Sequence, residues 1–166
     1  MDERNIVLIG MMASGKTTVG GLLAAALGRP LVDTDALIEE KEGRTIPAIF
    51  AADGEGYFRD RERETAEDLA RKTGLVIACG GGLPLRPDAM APLKETGLVF
   101  WLCRDPGVTY DSGVLGDRPL AQDGRAAFLE RFAQREPVYR RWADHIITDL
   151  ASPKAGLNAI LEVLRA

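Results

Sequence analysis

The eight residues Gly10-Met11-Met12-Ala13-Ser14-Gly15-Lys16-Thr17 match G-x-x-x-x-G-K-[ST] in full, and they stand between an apolar run at 6–9 and an apolar-faced segment at 17–27. No other feature constrains the fold as tightly. A buried strand that turns through glycines into a helix leaves the helix's first N–H groups pointing at the turn. Those N–H groups, with about half a positive charge from the helix dipole, face one concavity that suits phosphate. There Lys16 reaches the β- and γ-phosphates of a nucleotide and the Thr17 hydroxyl ligates Mg²⁺. The pattern specifies a nucleotide phosphate but not the group that receives it.

Further apolar runs follow at 31–32, 75–79, 98–103 and 145–148. They are continuous rather than alternating, which predicts strands buried on both faces. Helical patterns lie between them. The first, 17–27, sets Val19, Leu22, Leu23, Ala26 and Leu27 on one face, with Gly28 as a stop signal. Others span 46–52, 55–72, 87–94, 125–141 and Pro153–Arg165. This alternation predicts an α/β fold of three layers, a parallel sheet with helices on both faces. Neither a repeat nor a linker divides the 166 residues, so 1–166 is expected to be a single domain. The segment 112–124, rich in glycine and poor in apolar residues, predicts a mobile surface loop.

A net charge of −4 argues against nucleic-acid binding. No apolar run approaches the roughly 20 residues of a membrane span, and the polar start Met1-Asp2-Glu3-Arg4 lacks the pattern of a signal peptide. A cytoplasmic protein without a membrane partner is expected. Cys79 and Cys103 lie in apolar runs, too far apart for a CxxC site, and are expected to be reduced core residues.

The acceptor has to be read from other residues. Asp33-Thr34-Asp35 ends the second apolar run, where ligands of open α/β sheets gather. On an extended segment the two carboxylates would share a side about 7 Å apart. One would then serve Mg²⁺ and the other would take a proton or hydrogen bond from an attacking hydroxyl. Asp35 is equally a candidate N-cap. Arg59 and Glu62 share a helix face, and an arginine fork matches a carboxylate, although a solvated charged surface would read the same way. Gly80-Gly81-Gly82 permits close approach of a ligand, or simply a flexible turn. Arg118, beside Pro119 in the 112–124 loop, suits a lid cation, and Arg135 stands one turn before Tyr139.

In this order and spacing, the phosphate loop, Asp33-Thr34-Asp35, Phe58-Arg59-Asp60-Arg61-Glu62, Gly80-Gly81-Gly82, Arg118-Pro119 and Arg135-Glu136-Pro137-Val138-Tyr139 resemble the shikimate kinases over nearly the whole chain. The resemblance implies a P-loop NTPase fold of the nucleoside-monophosphate-kinase type, with a five-stranded parallel sheet ordered 2-3-1-4-5. It implies Mg²⁺, ATP as co-substrate, and phosphorylation of shikimate on its 3-hydroxyl by a monomer. It places Asp35, Arg59, Gly81 and Arg135 on shikimate, and Thr17 and Asp33 on the metal. Ala13, Ser14, Gly15, Lys16, Thr17, Thr18, Arg118 and Pro153 fall to ATP, with Lys16, Asp35 and Arg118 catalytic. It also implies a substrate-binding helical region at about 36–64 and a lid at 112–124. Three departures stand out, one of them the composition of the lid's glycine cluster. Ala13 replaces a common glycine. Asp111, beside Tyr110, replaces an arginine expected to stack on adenine, so Tyr110 becomes the candidate stacking face and Asp111→Arg is expected to tighten ATP. A kinase for another small acid, such as gluconate, and a non-catalytic nucleotide-binding protein are the competing readings.

Overall fold

The computed structural model describes residues 2–116 and 123–166. Five strands run β1 (Asn5–Ile9), β2 (Leu31–Asp33), β3 (Val76–Ala78), β4 (Gly97–Leu102) and β5 (His145–Ile147). All neighbours are parallel and the order is β2-β3-β1-β4-β5. The helices are α1 (Lys16–Leu27), α2 (Thr34–Glu42), α3 (Ile46–Ala70), α4 (Pro87–Thr96), α5 (Pro106–Asp111), α6 (Arg125–Trp142) and α7 (Pro153–Arg165), with a 3₁₀ turn at Leu83–Leu85. Among the described residues no helix is long and apolar enough to cross a membrane.

The continuous apolar runs sort by parity, as a two-sided sheet requires. Val7, Ile9, Ile77, Val99 and Trp101 face one layer, with Ala66 and Leu69 of α3, Met90 of α4 and Tyr139 of α6. Ile6, Leu8, Val76, Phe100 and Leu102 face the other, with Val19 and Leu23 of α1 and Ile160 of α7. Buried Asn5 ties these parts together. Its amide donates to the carbonyls of Leu69 and Lys72 at 3.1 and 2.9 Å, and its side-chain oxygen accepts from Leu75 N–H at 2.9 Å.

Two expectations change here. The edge strand β2 is only half-buried, because one of its sides has no neighbouring strand. In α1 the sheet is met by Val19, Gly20, Leu23 and Ala24, while Leu22 and Ala26 are exposed. The helix is apolar all round, so periodicity alone left its face open. Gly20 decides it, since a Cβ there would lie 3.0 Å from Leu31. The two expected helices at 46–52 and 55–72 form α3, kinked at Gly54, where φ is 83°. The first part of α3 and α2 enclose a small separate cluster of Ile38, Ile49 and Phe58. Short α5 carries no helical periodicity that six residues would reveal.

Candidate active site

A cleft of about 990 Å³ opens along the carboxyl ends of the strands. Its floor is the phosphate loop. Gly10 and Gly15 adopt φ of 150° and 96°, and a Cβ on Gly10 would come within 2.7 Å of Leu102 O. Gly15 caps α1 without a side-chain hydrogen bond, so the first N–H groups of the helix are left for a ligand. Within the loop, the buried Ser14 hydroxyl has no hydrogen-bond partner among the described residues. Lys16 Nζ donates to the carbonyls of Gly10 and Met11 at 2.8 Å each, which holds the ammonium across the cradle. Ala13 is the one non-glycine residue at positive φ, 60°, among those described.

The Thr17 hydroxyl donates to Asp33 Oδ2 at 2.8 Å. Asp33 Oδ1 accepts from Ala36 N–H at 3.0 Å, so Asp33 is the N-cap of α2. This corrects two expectations. The helix begins at Thr34, so Asp33 and Asp35 do not alternate along an extended segment. The capping role falls to Asp33, which leaves Asp35 in the first turn and free of it. Both carboxylates nevertheless line the cleft. Burial pushes the Asp35 carboxyl up to about 6, and the charge of Asp33 adds to the rise, against the opposing pull of Lys16 and Arg59.

The three glycines do more than turn the chain. A Cβ on Gly80 would overlap the Asp35 carboxylate. One on Gly81 would lie 3.5 Å from Arg135 Nη1, and one on Gly82 3.1 Å from Arg59 Nη1. The triplet therefore brings three polar heads from α2, α3 and α6 against one strip of backbone. Thr34 fixes that strip, its hydroxyl oxygen accepting from Gly80 N–H at 2.9 Å. Tyr139 anchors it from the other side, its hydroxyl donating to Gly81 O at 2.8 Å. Arg59 is held by Glu62 at 2.9 Å, an ion pair in which the glutamate is 1% exposed. Burial pushes Glu62 upward, and Arg59 counters it. Arg135 sits with Nη1 3.9 Å from Met11 Sδ and a buried Nε that has no hydrogen-bond partner among the described residues. That leaves a guanidinium donor for an anion in the cleft.

The model of the shikimate kinase family matches residues 12–165. The chain belongs to the shikimate kinase family. A shikimate kinase of Symbiobacterium thermophilum is 45% identical over 169 residues, covering 97% of this chain and 96% of the relative. One from Nitrosomonas europaea is 43% identical over 166 residues, with 97% and 78% covered. Among solved structures, shikimate kinase from Acinetobacter baumannii in complex with shikimate superposes with a TM-score of 0.87 at 34% identity, covering 98% of this chain and 92% of that one. A Bacteroides thetaiotaomicron shikimate kinase superposes with a TM-score of 0.88 at 28% identity, with 99% and 100% covered. The family and the sheet order agree with the expected architecture.

Within this family frame, most expected site residues meet in the cleft. Ala13, Gly15, Lys16, Thr17, Thr18, Asp33, Asp35, Gly81, Arg135 and Pro153 line it, and Arg59 reaches it at Gly82. Arg118 and Pro119 lie outside the described residues. At positions 110 and 111 the structure shows partners that the sequence did not suggest. Asp111 is exposed, paired with Arg125 at 3.0 Å and not among the residues that line the cleft. The half-buried Tyr110 ring packs on Phe128 at 5.9 Å. Cys79 is buried as expected, but it lines the cleft; Cys103 is half-buried. Arg104 was not singled out by sequence. The glycines' individual duties show only in three dimensions, whereas Arg104 had a signal: it stands two residues beyond the end of a central strand.

Proposed function

We propose that this chain transfers the γ-phosphoryl group of ATP to the 3-hydroxyl of shikimate, as a monomer in the cytoplasm. One observation carries the reading. A carboxyl group raised to about 6 stands against the triple glycine, flanked by Arg59 and Arg135, beside a complete phosphate loop. Arg59 and Arg135 hold the shikimate carboxylate, each offering parallel N–H donors, and the backbone at Gly81 closes on the ring. Asp35 accepts the proton of the 3-hydroxyl as its oxygen bonds to the γ-phosphorus. The bond from phosphorus to the β–γ bridging oxygen breaks, and ADP leaves. A base near 6 is ionised at neutral pH yet still accepts a proton readily. Lys16 balances charge on the β- and γ-phosphates. The N–H groups and side chains from Ala13 to Thr18 hold the phosphate chain, Pro153 borders the base, and Arg118 is assigned to the lid on the family resemblance.

The hydroxyl of Thr17 and the carboxylate of Asp33 fit Mg²⁺, being hard oxygen donors one hydrogen bond apart at the mouth of the cradle. Mg²⁺ held there supplies charge neutralisation to the phosphates. The test is ATP turnover with shikimate, with gluconate and with no acceptor. Efficient turnover with shikimate alone supports the reading, and equal efficiency with gluconate overturns it.

A further inference from the structure

Strand β4 lies between β1, which feeds the phosphate loop, and β5, which leads to Pro153. Ligands of open α/β sheets sit beyond such strand ends. Arg104, two residues past Leu102, is half-buried and lines the cleft with Ala13, Thr17, Thr18 and Pro153. Its Nη1 lies 3.4 Å from the Ala13 carbonyl oxygen. Asp35, Arg59, Arg135 and the triple glycine gather on the opposite, β2–β3 side. Among the described residues the cations lining the cleft are Lys16, Arg104 and Arg135. Arg135 belongs to the glycine strip, and position 111 offers an aspartate already paired with Arg125.

We propose that Arg104 is the second fixed cation of the nucleotide site, meeting the phosphate chain of a nucleoside triphosphate from the β4–β5 side. A guanidinium carries five donors. The contact with Ala13 O is long for a hydrogen bond and uses one of them weakly, so a phosphate oxygen at the same place is the stronger acceptor. Half-burial limits the rotamers that binding would have to freeze. The inference rests on the nucleotide reading above, and its test separates the two.

Calorimetry on the full chain, without shikimate or divalent metal, reads it directly. ATP and inorganic tripolyphosphate are titrated into wild type, Arg104→Met and Arg104→Lys at two ionic strengths. Arg104→Met is expected to weaken both ligands by about tenfold or more, as for a lost charged hydrogen bond, and to flatten their salt dependence. Arg104→Lys recovers part of the affinity, and shikimate binding stays within about twofold throughout. Arg104→Gln serves the same arms should the methionine variant fold poorly. Unchanged ATP affinity overturns the proposal. So does weakened ATP with unchanged tripolyphosphate, which puts Arg104 on the base. Losses with an unaltered salt dependence also overturn it, since they mark a mere brace on the loop carbonyl. Wild type failing to bind ATP overturns the functional reading instead.

Discussion

Asp35→Asn should make the protein more stable and far less active. The folded-state carboxyl titrates at about 6 against an ordinary 3.8, raised first by burial and then by Asp33. Between those values the folded chain holds the extra proton, so stability falls as pH rises through this window, and the deficit is complete above it. The difference between those two values corresponds to about 3 kcal/mol. Asp35 faces an open cleft, and solvent screening reduces that to about 1–2 kcal/mol. Asparagine keeps the shape and drops the charge. Urea unfolding at pH 8 should therefore show the variant more stable by about 1–2 kcal/mol, with the gap closing below pH 4. Loss of the proton acceptor should lower kcat by about 10²-fold or more. The acid limb of the wild-type rate profile, centred near pH 6, should vanish with it. A variant no more stable than wild type at pH 8 would refute the desolvation argument. A fully active one would refute the base role.

Gly80→Ala should fold yet lose most of its kcat, because the new Cβ would overlap Asp35 Oδ1 and lie 2.8 Å from Oδ2, while Gly81→Ala, with 3.5 Å to Arg135, should be milder; steady-state kinetics on both compare them. Arg59→Ala should weaken shikimate binding and also destabilise by about 2–3 kcal/mol, since it strands a glutamate that is 1% exposed. The double variant Arg59→Met with Glu62→Gln should regain stability in urea without regaining shikimate affinity in calorimetry. Asp111→Arg should leave ATP affinity within about twofold, because the side chain answers to Arg125 rather than to the cleft; a tenfold gain would show that position 111 reaches the nucleotide.

What was legible in the sequence followed from short-range rules. Continuous apolar runs marked β1, β3 and β4, because a central parallel strand must be apolar on both faces. The loop from Gly10 to Thr17 was legible because its chemistry demands glycine at fixed offsets. Arg59 with Glu62 followed from helical spacing, and the 2.9 Å pair bears it out. The rest depended on which groups meet across the fold. Whether Asp33 or Asp35 caps α2 turns on a two-residue shift of helix start, a boundary that local pattern does not resolve. The face of α1 turned on the Gly20 contact with Leu31. The fate of Asp111 turned on Arg125, fourteen residues away across the 112–124 segment.

The residues that break local rules collect at this cleft. Ala13 holds a left-handed conformation that disfavours an L side chain by about 1–2 kcal/mol. Asp35 carries a charge that burial opposes, and Glu62 is a buried acid kept in place by one arginine. Ala13 and Asp35 lie where backbone or charge faces the cleft, Glu62 sits behind Arg59, and strain of this kind persists only where the surroundings hold it. If that is the reason, the strain is separable from the chemistry at Ala13 and inseparable at Asp35. Ala13→Gly relieves the left-handed strain, while the greater freedom of glycine in the unfolded chain offsets about 0.5–1 kcal/mol of the gain. The net should be a stabilisation of about 0.5–1 kcal/mol in urea, with ATP affinity held or improved. Lost stability in Ala13→Gly would show that the loop holds alanine at this φ without penalty, and would move the cost from the phosphate loop to the buried acids Asp35 and Glu62.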